Sequence, residues 1–338
     1  MILINCLLYD DKSNFGYREY VRNLMFLYSH SSNNEIFLFR RSQRDNIENF
    51  CNENNIQISS NYMNDYLWRI KLLFLPIFFL KNIKKIINTF NYGPLINLSI
   101  KNSLVIHDFK YKYPMYEPRL FFRLQRNFFI FFHHLFYEKI FCISESTKLD
   151  YVKFYGQRSK IEVKYNFLNI DKYKDIGISE SLMMKNDKYV MCISSDLPYK
   201  NIQYLVDEFN LYKNNNNSNL KLLIIGTNKF NKFKDIVSVD KALQAEVNRS
   251  FKAASAIIQP SLFEGFGFPY IEASIFNKLI VAMDIPIARE ICDPMNSIFI
   301  NGQRDELQDI FKRVDSNKIE HFIQSKHIHK FCNKNLKY

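Results

Sequence analysis

Short apolar runs alternate along the chain with longer stretches whose apolar positions recur at helical spacing. "MILINCLLY" and "NEIFLFRR" predict strands, with a helix over "GYREYVRNLMFLYS" between them. "NSLVIHD" (102–108) predicts a short buried strand ending in His-Asp, and 119–138 a helix. "KIFCISES" then reads as a strand, "STKLDYVKFYG" as a helix closed by Gly156, and "KIEVKYN" as a strand.

From about Leu168 to Asp187 the chain is polar and weakly patterned, which places a domain boundary there. The expected domains are 1–170 and 171–338. Alternation then restarts: strand "KYVMCISS", helix "NIQYLVDEFNLYK", strand "LKLLIIG", helix "AEVNRSFKAA", strand "AIIQPS", helix "PYIEASIFN", strand "LIVAM", and a helix from about Asp305. Strands alternating with helices of this length make parallel sheets with right-handed crossovers. The predicted fold class is therefore α/β, with two doubly wound Rossmann-like domains. Ligands of such sheets bind beyond the carboxyl ends of the strands, and the cleft between two domains is the default site.

Composition narrows the picture. Apolar residues make up 47% of the 338, enough to bury a core in each domain. The six cysteines are scattered, with no C-x-x-C pair, which argues for reduced thiols in a cytoplasm and against a zinc site. The first residues read as a buried strand rather than a secretory signal. No stretch approaches the roughly 20 apolar residues that span a bilayer. A net charge of +12 implies an anionic partner, whether phosphate substrate, membrane or nucleic acid. In "DYLWRIKLLFLPIFFLKNIKKI" (65–86), aromatic and apolar residues interleave with Arg69, Lys71, Lys81, Lys84 and Lys85. That segment fits either peripheral contact with an anionic leaflet or a core helix with a basic end.

Candidate chemistry concentrates in "SLFEGFGFPYIEA", which follows the strand "AIIQPS". Gly265-Phe266-Gly267 turns the chain, and Pro269 suits the first turn of the helix beyond. Glycine lets backbone amides approach a ligand, and a helix N-terminus adds partial positive charge, so the turn suits a diphosphate. Glu264 precedes the turn, and Glu272, eight residues on, is expected in the first helical turn. Carboxylates are strong acceptors for sugar hydroxyls. A glutamate on each side of a diphosphate pocket matches a nucleotide sugar; the plainer reading is a common strand–helix turn with a dipole-favoured Glu.

"PSLFEGFGFPYIEA" resembles the Glu-x7-Glu signature of the retaining GT-B glycosyltransferases of family 4, the group 1 glycosyl transferases. Further segments resemble that family in order: "NFGYREYVRNL" with Gly16, "VIHD" with "YP" after it, "CISESTKLDYVKFYG", "SSDLPYKN" and "IPIARE" (285–290). The resemblance implies that Glu264 contacts the donor sugar and Glu272 the ribose, while Gly265, Phe266 and Gly267 hold the diphosphate. It implies that Lys200, with Asn201 beside it, grips the leaving diphosphate. His107 would reach the donor from the N-terminal domain, with Asp108 orienting or capping, and Gly16 would admit the donor phosphates. Catalytic roles thus fall to Glu264, His107 and Lys200.

The chain departs from the family pattern in places. Tyr199 and Ser195 stand where many members carry an arginine. The stretch between Gly226 and the strand "AIIQPS" before Glu264 is abbreviated, with no clear base-recognition strand and turn, and the C-terminal helix looks short or absent. No D-x-D, Walker A loop or complete G-x-G-x-x-G occurs. The expectation is a metal-independent transferase with no cofactor. Its donor, bound by the 171–338 domain, would be a nucleotide sugar, GDP-mannose by the mannosyltransferase-like branch, and its acceptor, on the side of the 1–170 domain, a glycan or lipid-linked hydroxyl. The setting would be the cytoplasm, at the inner face of the membrane, in bacterial surface polysaccharide synthesis. A nucleotide-sugar epimerase and a non-catalytic nucleotide-sugar binder stay open as alternatives; nucleic-acid binding, a rival raised by the charge alone, is not expected, since no RNA-module motif occurs.

Overall fold

Strands β1 (Ile2–Asn5), β2 (Glu35–Arg40), β3 (Ser59–Met63), β4 (Lys85–Asn88), β5 (Lys101–Ile106), β6 (Lys139–Cys142) and β7 (Ile161–Val163) form one sheet in the computed structural model. Their order is β3-β2-β1-β4-β5-β6-β7, and every pairing is parallel. The structure describes all residues except 11–14, 30–33, 79–81, 96–99, 159, 174–181, 184–186, 319–329 and 332–338. Helices α1 (Phe15–Tyr28), α2 (Arg44–Glu53), α3 (Trp68–Leu73), α4 (Leu75–Phe78), α5 (Leu120–Phe136) and α6 (Glu145–Tyr155) accompany this sheet. Central strands read as unbroken apolar runs because helices cover both faces of a parallel sheet. Leu3, Leu38 and Ile86 pack with Leu72 and Leu75, while Leu104, Ile106 and Ile140 pack with Ile130 and Tyr151.

A second sheet comprises β8 (Tyr189–Ile193), β9 (Lys221–Ile225), β10 (Ile236–Val239), β11 (Ala256–Gln259), β12 (Ile280–Met283) and β13 (Ser297–Ile300). Its order is β10-β9-β8-β11-β12-β13, again all parallel. Its helices are α7 (Ile202–Asn215), α8 (Gln244–Ala253), α9 (Phe268–Ile275), α10 (Pro286–Ile291) and α11 (Glu306–Asp315). In each sheet the first strand pairs on both sides, β1 with β2 and β4, β8 with β9 and β11. Successive crossovers therefore leave that strand in opposite directions, which opens a crevice at its carboxyl end.

The chain divides between Asn169 and Ile170, and Phe331 groups with the first unit. The expectation that everything from 171 to 338 lies in the second unit is corrected at that point. Phe331 is fully buried, its carbonyl accepts from the Leu168 N–H at 2.9 Å, and its ring meets Tyr165 edge-on. A single anchoring residue leaves no periodic signal. The expected shortness of the C-terminal helix concerns residues outside those described.

Other expectations also change. Residues 65–86 hold neither one core helix nor one amphipathic surface helix. They contain the short α3 and α4 and the first residues of β4. β3, "SSNYM", is a polar edge strand without an apolar run, so its sequence does not announce it. A strand does occur between Gly226 and β11, namely β10, only four residues long. α2, α10 and β13 were likewise not anticipated.

Candidate functional site

In the second unit, the loops after β8 and β11 leave adjacent strand ends and meet. Gly226, at φ +115°, lets β9 end against β8: a Cβ there would lie 2.5 Å from the Ser194 carbonyl oxygen. The β8 loop tightens into a 3₁₀ turn at Pro198–Lys200, and Asn201 enters α7 in the left-handed region at φ 55°, which asparagine tolerates. Asn201 thus has a backbone role at the start of α7. The Tyr199 carbonyl then accepts from the Leu262 N–H at 2.8 Å, and the Tyr199 ring meets Phe263 edge-on. This clamp seats the Lys200 loop on the loop that carries Glu264.

Lys200 Nζ donates to Glu264 Oε1 at 2.6 Å, with 18% and 13% of the two side chains exposed. A charge-assisted bond this short and this sheltered is well above the strength of a surface pair. Phe266 is buried against Phe268 at 5.3 Å between ring centres, so only its backbone is left to serve a ligand. Gly267 sits at φ +79°, and a Cβ would fall 2.4 Å from the Tyr270 ring. Glycine is obligatory there on both counts. α9 begins at Phe268 with Pro269 in its first turn, as expected.

Glu272 lies in the second turn of α9, not the first, because the helix starts at Phe268. The favourable helix dipole therefore does not account for it. It is buried, and its Oε1 accepts from Tyr173 Oη at 2.7 Å. Around the same strand ends, the buried Ser194 Oγ, Gln259 Nε2, Ser261 Oγ and Tyr270 Oη have no hydrogen-bond partner. Burial, with the Glu264 charge adding to it, holds the Tyr270 phenol well above its ordinary pKa, so it stays protonated. Buried polar groups without partners are rare and concentrate where a site handles polar ligands.

In the first unit, His107 follows β5. Its Nε2–H donates to the Thr89 carbonyl at 2.7 Å, and its backbone N–H to Asn91 Oδ1 at 2.7 Å. Thr89 is itself fixed, its hydroxyl donating to the Asn5 carbonyl at 2.7 Å and accepting from Tyr17. Tyr17 and Tyr20 meet the imidazole edge-on, and Phe90 lies alongside. Burial lowers the His107 pKa, outweighing the Thr89 bond and the Asp108 charge, so the ring is neutral and Nδ1 keeps its lone pair. Asp108 caps the next turn by accepting from the Lys110 N–H at 3.1 Å. Gly16 lies exposed in the first turn of α1, where a Cβ would meet nothing within 4 Å. Packing within this unit does not require glycine there.

The structure thus brings Lys200, Asn201, Glu264 and the glycine turn together, and separately places His107 with Asp108. Sequence reasoning missed Tyr173, Tyr199, Tyr270, Thr89 and Asn91, which hold these residues in place. Thr89 and Asn91 follow the strand "KIIN", whose first two residues close the 65–86 segment and whose last two lie beyond it. A surface cavity at the β3 edge, lined by Glu48, Cys51, Ser59 and Tyr62 among others, includes none of the candidate residues.

Residues 187–316, which span all of this second-unit geometry except Tyr173, match the family model described as Glycosyl transferases group 1. The matched stretch lies within the second unit. The chain is 24% identical over 227 residues to the O-antigen chain mannosyltransferase RfbU of Salmonella typhimurium, covering 62% of this chain and 59% of that protein's length. The fold is similar to that of Anabaena HepE, solved in complex with UDP and glucose, at TM-score 0.71 and 14% identity over 97% of this chain and 93% of the other. It is also similar to that of sucrose-phosphate synthase from Thermosynechococcus elongatus, at TM-score 0.73 and 12% identity over 98% and 93%. Two parallel Rossmann-like sheets with such neighbours make the architecture GT-B.

Proposed function

We propose that the chain is a retaining glycosyltransferase of the family 4 type, with Glu264 and Glu272 as its Glu-x7-Glu pair. It moves a sugar from a nucleotide-sugar donor to a hydroxyl of a glycan or lipid-linked acceptor, in the assembly of an O-antigen-like or capsular surface polysaccharide. The observation that carries this reading is the Lys200–Glu264 pair at 2.6 Å, clamped to a glycine turn at the β8/β11 strand ends of a group 1 domain.

The pair is arranged for exchange. When the donor enters, Lys200 trades the Glu264 carboxylate for the diphosphate, and Glu264 is released to the sugar hydroxyls. The acceptor hydroxyl oxygen then bonds to the anomeric carbon as the bond from that carbon to the diphosphate oxygen breaks, and the hydroxyl proton leaves with the departing diphosphate or to solvent. Lys200 and the α9 N-terminus offset the negative charge that grows on the leaving group, which accelerates the step rather than merely binding the substrate. They supply the positive charge a metal supplies in other transferases, so the proposed reaction needs no metal and no cofactor. Glu272, shared with Tyr173, receives the ribose hydroxyls. His107, held neutral with Nδ1 open, meets the donor sugar or its phosphate, and Gly16 admits the phosphates near α1.

The similarity to a mannosyltransferase favours GDP-mannose, whereas a UDP-sugar is the second reading, favoured by the fold likeness to a protein solved with UDP. Work at the inner face of the membrane fits a long exposed apolar stripe on α5, with Phe121 80% and Phe128 60% exposed. Leu67, Ile70, Phe74 and Ile77 of the 65–86 segment are exposed as well. Among the described residues, no helix is long and apolar enough to cross a membrane.

A melting-temperature screen of UDP, GDP and their sugars tests the proposal. A true donor at about 100 times its Kd stabilises the fold by about 2.7 kcal/mol. Stabilisation by one nucleotide family, lost in Lys200→Ala, is the expected result. No shift with any nucleotide would contradict the reading.

A further inference from the structure

Arg126, in the middle of α5, is a charged side chain that the first unit leaves unpaired among the described residues. Its guanidinium carbon lies 4.8 Å from the Phe90 ring centre, 4.7 Å from that of Tyr92 and 4.9 Å from that of Phe122. It makes no hydrogen bond and no ion pair among the described residues, and its Nη1 is fully buried without a partner. Its neighbours on the helix are satisfied otherwise. Arg123 donates to the Tyr111 carbonyl at 3.0 Å, and Arg119 forks onto Glu117 at 2.6 and 2.8 Å. The nearby Asp108 carboxylate is engaged by the Lys110 N–H.

Aromatic faces orient a guanidinium and attract its charge, but they do not satisfy its N–H groups. A sheltered, unpaired cation is costly to a fold and is retained where it meets an anion. Burial lowers the Arg126 pKa, and the surrounding tyrosines and carboxylates offset this in part. The residue as a whole is only partly buried, while its Nη1 is shielded from solvent. Phe90 ties the place to the candidate site, since the same ring packs against both Arg126 and His107.

We propose that Arg126 anchors an anion subsite in the first unit that takes a phosphate or carboxylate group of the acceptor. This rests on the glycosyltransferase reading above, with the first unit taken as the acceptor side. A planar fork pre-oriented by three rings suits two oxygens of one phosphate or carboxylate better than a point charge would. The anion can come from a soluble phosphorylated glycan or from a lipid phosphate reached across the apolar stripe of α5.

The test uses the full chain as wild type, Arg126→Met and Arg126→Gln, in a buffer free of polyvalent anions. Inorganic phosphate is titrated by melting temperature and calorimetry, first alone and then with UDP or GDP saturating. Wild type is expected to bind phosphate with the nucleotide present, and both variants to bind it at least tenfold more weakly. Nucleotide affinity is expected to be unchanged in the variants, so a failure of the donor site reads out separately. Vesicles of phosphatidylcholine containing phosphatidylglycerol form the second arm. Arg126-dependent vesicle binding assigns the anion to a lipid, and a response to phosphate alone assigns it to a soluble acceptor. Equal phosphate binding by wild type and whichever variants fold, or no phosphate binding by wild type, overturns the proposal and leaves Arg126 as an aromatic-packing residue.

Discussion

The two units solve the same topological problem with opposite chemistry. Each has a parallel sheet whose first strand pairs on both sides, so each presents a crevice at matching strand ends. In the second unit that crevice holds formal charges, Lys200 against Glu264, beside a glycine turn and several buried polar groups without partners. In the first it holds a neutral imidazole, hydrogen-bonded to Thr89 and walled by Tyr17, Tyr20 and Phe90. A diphosphate calls for the first kind of environment. A sugar, with apolar faces and neutral hydroxyls, sits well in the second. The topology supplies the location, and the loop residues decide the ligand.

If charge defines the second unit's crevice, removing the cation should cost most. Lys200→Ala is expected to slow donor turnover by about a hundred- to a thousandfold, the usual effect of deleting one group that stabilises a transition-state anion. It should also weaken binding of the nucleoside diphosphate, measured by calorimetry. Backbone demands should be as local. Gly267→Ala places a side chain at φ +79° against Tyr270, and is expected to lower unfolding free energy by about 3 kcal/mol in urea titration.

The first unit should instead reveal itself through pH. Burial pushes His133 down to about 3, and His107 and His134 also below their ordinary values. With folded values below unfolded ones, stability is present above the unfolded value and lost as pH falls below it. For His133 the loss should reach about 2 kcal/mol at pH 5, relative to an unfolded value of about 6.5. Urea midpoints between pH 7 and 5 check this, and His133→Gln should flatten the curve. The smallest effect concerns Gly16. Because a Cβ meets nothing there, Gly16→Ala should raise stability by about 0.5–1 kcal/mol, as alanine does within a helix. If donor phosphates approach that backbone, nucleotide affinity should fall while stability rises.

Much of this was legible in the sequence, for identifiable reasons. Buried parallel strands such as "KLLII" and "KIFC" are unbroken apolar runs, and they stood out. The glycine turn was readable because φ and crowding restrict Gly267 so tightly. Elements without such signatures did not show: the polar edge strand "SSNYM", the four-residue β10, and "KIIN" at the end of a basic aromatic stretch. The partners of the candidate residues were invisible for a different reason. Tyr173 lies 99 positions from Glu272, and Thr89 lies 18 from His107, so only the fold brings them together. Glu272 was placed a turn too early because the motif gives spacing but not where the helix begins.

In the proposed mechanism the two glutamates divide the donor between them, Glu264 at the sugar and Glu272 at the ribose. Glu264→Ala and Glu272→Ala should be compared for release of nucleoside diphosphate from the nucleotide sugar that stabilises the protein most, alongside calorimetric affinity for the nucleotide. Glu264→Ala is predicted to lose about a hundredfold or more in turnover. Its nucleotide affinity should not weaken, since Lys200 is then unpaired and fully available. Glu272→Ala is predicted to weaken nucleotide binding about tenfold, the loss of one hydrogen-bonded contact worth about 1.4 kcal/mol. Wild-type turnover in Glu264→Ala would contradict the account.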